Sequence, residues 1–229
     1  DLDLVVTLKN TNQVRLLINT AGVFAAGATT GVGGTEPRFL AVADLDGNGF
    51  ADVVTANRDS GDIAVLLNSG GVLGAPALYA VGGDTRGVAI GDVDGDLLPD
   101  IVAASGDARA LAVFLNIPAS PGVFATGTSL SVGAELRPDG VDIQDLDGDG
   151  YPDLVTSGPL QDRVAMFMNR PDPADASRRV FVDVTETAGL RMMRDGVANR
   201  RWSVALLGDV DNDGDVDAVV FMRTDDDKP

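Results

Sequence analysis

The chain has 229 residues, 45% of them apolar, with 28 Gly, 11 Pro, no Cys, no His and a formal net charge of −18. That length carries one large domain or two small ones, and the Gly and Pro content predicts many turns and few long helices. The charge excludes a nucleic-acid interface and docking on anionic lipid, while the absence of Cys and His excludes disulfides, thiol chemistry, His-based triads and ordinary zinc sites.

In chain order, the sequence opens inside a repeat. Asp3 in "DLVV" precedes Asn19, the end of "VRLLIN", by the same 16 residues that separate Asp52 from Asn68, the end of "IAVLLN". The first full unit runs from "FLAVAD" through the acidic loop "DLDGNGFADVV" at Asp44 to Asn68. The second runs from "GVAIGD" through "DVDGDLLPDIV" at Asp92 to Asn116, and the third from "GVDIQD" through "DLDGDGYPDLV" at Asp145 to Asn169. Each of these Asn residues lies 24 residues after the first Asp of its loop. An insertion around "RPDPADASRR", read as an exposed, solvated connector with docking of its Arg pair on an acidic surface as the alternative, and "FVDVTETAGL" precedes a fourth loop, "DVDNDGDVDAVV" at Asp209. The expected organisation is a partial repeat over 1–35, repeats over 36–84, 85–136 and 137–196, and a partial repeat over 197–229. The chain begins at Asp1 rather than Met and reads as a processed form or a fragment.

Each unit predicts three strands: one before the loop, one after it, and the Asn-terminated segment. A weaker fourth falls at "ALYAVG" or "TSLSVG". Three or four strands per roughly 50 residues suits a β-propeller blade, which buries its faces only by stacking on neighbours. The predicted fold is therefore all-β, about four propeller blades plus partial repeats, as part of a larger propeller or assembly. An open β-solenoid is the alternative. Both ends carry the strand that follows a loop, so they do not splice into one blade.

The acidity is almost entirely Asp; only Glu36, Glu135 and Glu186 are Glu. Asp suits tight loops, where its short side chain reaches a nearby backbone group or an ion. In each loop, oxygen-bearing side chains at positions 1, 3, 5 and 9 can converge, and position 7 offers a backbone carbonyl. Gly47, Gly95 and Gly148 at position 4 suit a positive φ. Converging carboxylates raise one another's pKa and push the loop open unless a cation joins them. Six or seven oxygens suit Ca²⁺ better than Mg²⁺, and transition metals prefer nitrogen or sulfur. The alternative, that Asp-Gly pairs are merely hairpin turns, explains one loop better than four in register.

At these residues the sequence resembles the FG-GAP/VCBS repeat family, also seen in integrin α-subunit propellers. "FVDVTETAGL" followed by "WSVALLGDVDNDGDVD" is similar to bacterial VCBS proteins related to cartilage acidic protein. The resemblance implies up to four Ca²⁺ ions. It assigns as ligands Asp44, Asp46, Asn48, Phe50 and Asp52, then Asp92, Asp94, Asp96, Leu98 and Asp100. It continues with Asp145, Asp147, Asp149, Tyr151 and Asp153, and with Asp209, Asp211, Asp213, Asp215 and Asp217. It further implies a non-enzymatic extracellular or cell-surface module for adhesion, scaffolding or surface assembly. Its expected partners are proteins or glycans of a cell surface or matrix, or copies of itself in a filament, with no nucleic acid and no membrane insertion. A polysaccharide-active propeller and a lectin are the alternatives, although the chain has a single Trp, Trp202, and two Tyr, Tyr79 and Tyr151, for a sugar platform.

Overall fold

The computed structural model describes residues 1–134, 136–158, 163–188, 200–208 and 217–224, the last two as backbone. It consists of consecutive antiparallel sheets. The first orders β1 (Leu4–Leu8), β2 (Gln13–Thr20) and β3 (Val23–Gly31). The second contains β4 (Pro37–Ala43), β5 (Asp52–Asn57) and β6 (Asp62–Leu66), then a side hairpin of β7 (Asn68–Ser69) and β8 (Val72–Leu73), then β9 (Ala77–Ala80). The third repeats this plan with β10 (Thr85–Gly91), β11 (Asp100–Ser105), β12 (Ala110–Phe114), the hairpin β13 (Asn116–Ile117) and β14 (Ser120–Phe124), and β15 (Thr128–Ser131). The fourth orders β16 (Gly140–Gln144), β17 (Asp153–Gly158), β18 (Arg163–Asp172) and β19 (Asp175–Asp183). Finally β20 (Arg200–Gly208) pairs with β21 (Asp217–Thr224). The described residues are thus all-β apart from one turn of 3₁₀ helix at Lys9–Thr11.

Two-sided burial of the middle strands explains why they read as continuous apolar runs rather than alternating ones. In the second sheet Val53, Ala64 and Leu66 pack toward the first sheet with Val14 and Val32. Their neighbours Val54, Ile63 and Val65 point the other way, against Ile101, Ala103, Ala112 and Phe114 of the third. The third sheet in turn sends Val102, Ala104 and Leu111 toward Leu154, Ala165 and Phe167 of the fourth. The core therefore lies between blades. The strands that lead into the loops, β4, β10 and β16, run beside one another along one edge of the stack.

The segment around "RPDPADASRR" is largely exposed, as expected, but it is a hairpin rather than a connector. It forms the end of β18, a tight turn and the start of β19, which pair from Phe167↔Asp183 out to Asp172↔Asp175. The run Val180-Phe181-Val182, β-branched and aromatic, suits a strand, and Phe181 packs against the core between the third and fourth sheets.

At the end of the stack away from the acidic loops, ion pairs tie each of the first three sheets to the next. Lys9 meets Glu36 at 2.5 Å, Arg58 meets Asp84 at 2.8 Å and Asp107 meets Arg137 at 2.5 Å. In each pair the first residue lies beyond a sheet strand, and the second leads into the next sheet.

Candidate metal centre

Each of the three described acidic loops joins the first two strands of its sheet and is anchored from below. The residue at position 2, Leu45 in the first loop and Val93 in the second, is buried in the core between sheets. Position 9, occupied by Asp52, Asp100 and Asp153, is buried as the first residue of β5, β11 or β17. Each of these carboxylates accepts two backbone amides. Asp52 takes the N–H of Leu45 at 2.8 Å and of Asn68 at 2.6 Å. Asp100 takes those of Val93 and Asn116 at 2.9 and 2.8 Å, and Asp153 those of Leu146 and Asn169 at 2.9 and 2.7 Å. Asp3 accepts the Asn19 N–H at 2.8 Å in the same way.

The rest of the loop wraps around its first Asp. Asp44 accepts the amides of Asn48 and Gly49, Asp92 those of Gly95 and Leu97, and Asp145 those of Gly148, Asp149 and Gly150. Position 5 accepts from the amide of position 7 in all three, at 2.8 Å in Asn48–Phe50 and 2.9 Å in Asp96–Leu98 and Asp149–Tyr151. Such turns need left-handed backbone at position 4, where Gly47, Gly95 and Gly148 have φ of 74°, 85° and 73°. Position 6 is left-handed as well: Gly49 and Gly150 have φ of 87° and 88°, and Leu97 is held at 70° without being Gly.

This folding gathers Asp44, Asp46 and Asp52 in the first loop, Asp92, Asp94 and Asp96 in the second, and Asp145, Asp147 and Asp153 in the third. In each group one oxygen per residue lies within 4.8 Å of the others. Every carboxylate oxygen has two lone pairs, so an oxygen that accepts an amide can still face an ion. The electrostatics favour one. Desolvation, with added repulsion from Asp44 and Asp46, raises the Asp52 pKa; Asp153 rises for the same leading reason. Burial pushes Asp100 up to about 7, against the amides of Asn116 and Val93. Desolvation and the adjacent Asp96 raise Asp94. An all-oxygen, carboxylate-rich set of this kind fits a hard divalent cation. Asp209, Asp211, Asp213 and Asp215 of the fourth loop, and the Asp217 side chain, lie outside the described residues.

Two features went beyond what spacing foretold. The strand-ending Asn, seen in the sequence only as a marker, proves to be a clamp. Asn116 donates through Nδ2 to Pro99 O of its own loop at 3.0 Å and to Leu45 O of the preceding loop at 2.9 Å; Asn169 does the same to Pro152 O and Val93 O at 3.1 and 2.8 Å. The third loop also meets two arginines: Arg179, from the pair whose docking on an acidic surface is the alternative reading of that segment, and Arg170, which the sequence reading does not single out. Arg170 contacts Asp147 and Asp149, and Arg179 lies 3.2 Å from Asp149 and 3.5 Å from the centre of the Tyr151 ring. Desolvation opposes it, but the Tyr151 amide and Arg179 lower the Asp149 pKa.

The FG-GAP-like repeat family matches the chain over residues 1–55, 44–103 and 92–156. No curated protein matches it. Among solved structures, a candidate 6-phosphogluconolactonase from Bacteroides uniformis ATCC 8492 is 14% identical, with a TM-score of 0.51 over 79% of this chain and 66% of that one. An Agrocybe aegerita lectin specific for non-reducing terminal N-acetylglucosamine is 21% identical, with a TM-score of 0.45 over 76% of this chain and 46% of the lectin. The Photorhabdus luminescens Tc holotoxin pore is 18% identical, with a TM-score of 0.42 over 95% of this chain and 10% of that one. The chain spans less than two thirds of the length of each of these structures. The first likeness concerns the fold alone. Three repeat matches across residues 1–156, each ending within the strand that follows an acidic loop, establish that the chain belongs to the FG-GAP-like repeat family, whose repeats are β-propeller blades.

Proposed function

We propose that the chain is a calcium-binding, non-enzymatic module of an extracellular or cell-surface protein, in which Ca²⁺ in the acidic loops stiffens the junctions between blades. The observation that carries the reading is the convergence of three carboxylates within 4.8 Å in each of three loops, all on one edge of the stack. Calcium concentrations outside cells, on the order of 1 mM, fill sites of the 10⁻⁴–10⁻³ M class that cytosolic calcium leaves empty. That favours an extracellular setting. No helix among the described residues is long and apolar enough to cross a membrane.

Adhesion, scaffolding or surface assembly is the role that suits a rigid stack of this family. Its partners would be proteins or glycans of a surface or matrix, or further copies of the chain. Calorimetric titration with Ca²⁺ and with Mg²⁺ tests the metal. Binding of at least three Ca²⁺ per chain with weaker Mg²⁺ binding is the expected outcome; no heat with either ion refutes it. Glycan-array and polysaccharide-turnover assays separate the binding role from the lectin and enzyme alternatives, and turnover that depends on calcium would favour the enzyme.

A further inference from the structure

The third acidic loop differs from the other two in what stands beside it. Arg170 Nη1 contacts Asp147 Oδ2 and lies 3.5 Å from Asp149 Oδ2. Arg179 Nη2 is 3.2 Å from the same Asp149 oxygen, and its guanidinium is further tied to Asn169 O at 2.7 Å and Asn169 Oδ1 at 3.1 Å. Arg170 directly follows the strand-ending Asn169; the residues in that place after Asn68 and Asn116 are Ser69 and Ile117. The backbone explains how the arginines reach the loop. After Asn68 and Asn116 the chain turns off into the short hairpins β7–β8 and β13–β14, whereas β18 and β19 continue past the loop as one long hairpin. Among the described residues, no ion pair reaches the carboxylates of the first two loops.

From this geometry we infer that the third loop carries its own counter-cation. The Arg170 guanidinium partly neutralises positions 3 and 5 and competes with a divalent ion for the Asp147 carboxylate. A metal enters only as Arg170 swings away, so this loop fills last of the three. Arg179, held by Asn169 and stacked on Tyr151, stays behind. The inference rests on the calcium reading above and assigns an order to its sites. Because Arg170 is partly exposed, the pair it breaks is a modest one, and the expected lag is roughly 2- to 5-fold in calcium concentration.

Backbone amide NMR during a titration with buffered free Ca²⁺ reads each loop separately. The Gly47 and Gly49 amides report the first loop, Gly95 the second, and Gly148 and Gly150 the third. In the wild type, the Gly148 and Gly150 shifts should have their midpoint at roughly 2- to 5-fold higher calcium than the others. Arg170→Ala should remove that lag without moving the midpoints of Gly47, Gly49 and Gly95, and Arg170→Lys, which keeps a charge, should retain part of it. If Arg170→Ala disturbs the spectrum outside this loop, Arg170→Gln serves in its place. Equal midpoints in the wild type, or a lag that survives loss of the charge, overturn the inference while leaving calcium binding intact. Shifts in none of the loops overturn the calcium reading, and this order with it.

Discussion

Asn116 in the third sheet donates an amide hydrogen to the Leu45 carbonyl in the acidic loop of the second, at 2.9 Å. Asn169 repeats the contact one sheet on, to Val93 at 2.8 Å. The first and second acidic loops are thus each gripped by the blade that follows. Asn116 also bonds Pro99 O and accepts from the Gly122 amide, in a buried position. Asn116→Ala strands these partners, and we expect a loss of about 2–4 kcal/mol. Urea denaturation with calcium present measures it, and a loss below about 0.5 kcal/mol would contradict the clamp.

Within one loop, positions 3 and 9 should separate metal binding from folding. Asp46 is only partly buried, and its oxygens accept from Asn48. Asp52 is fully buried, with one backbone amide on each oxygen. Asp46→Asn should weaken calcium binding while leaving the chelated protein nearly as stable as before. Asp52→Asn turns an NH₂ toward a backbone N–H and should cost about 1–3 kcal/mol even in chelator. Melting curves of both variants, with calcium and with chelator, distinguish the two effects.

Calcium should itself raise the melting temperature. A site held at a free calcium concentration a hundred times its Kd adds about 2.7 kcal/mol to the folded state. Scanning calorimetry over a series of calcium concentrations should show a steady rise in Tm. A Tm indifferent to chelator would mean that the amide scaffold alone sustains the loops.

Leu97 occupies a left-handed backbone position, φ 70°, where the neighbouring loops have Gly, and it is 88% exposed. Left-handed conformation costs a non-Gly residue about 1–2 kcal/mol, of which Gly's greater freedom in the unfolded chain returns part. Leu97→Gly should therefore leave stability unchanged or raise it by up to about 1 kcal/mol, although most core-free Leu→Gly changes lower it. Leu97→Val, β-branched, should destabilise. Paired urea curves decide between these signs.

Asp84 predicts the acid limb of stability on the opposite end of the stack. Desolvation opposes its ionisation, but Arg86 at 2.6 Å and Arg58 at 2.8 Å outweigh it and hold the carboxyl below its ordinary range. A lowered pKa gives stability that is complete above the unfolded value of about 3.9 and fades as pH falls through the lower folded value. The stability difference between wild type and Asp84→Asn should therefore be constant above about pH 5 and shrink below about pH 4. A difference that grows on acidification would reverse the assignment.

The sequence alone was enough for the repeat, the all-β reading and the acidic loops, because these depend on short-range chemistry. Gly47 and Gly148 mark left-handed turns, Asp at alternating positions marks a converging loop, and unbroken runs such as "ADVVTA" mark strands buried on both faces. Even the constant distance from Asp52 to Asn68 was visible as a number.

What that number meant was decided by tertiary structure. Asn116 finds Leu45, 71 residues earlier, only because sheets stack, and nothing in the local composition identifies a partner in another blade. Arg170 and Arg179 sit in a stretch whose Pro and charges read as a connector, and pairing in register along β18 and β19 carries them to Asp147 and Asp149. Local rules fix backbone turns because their energies depend on neighbouring residues. The charges that face a loop depend on which strands continue past it, and that is settled by packing across the whole stack.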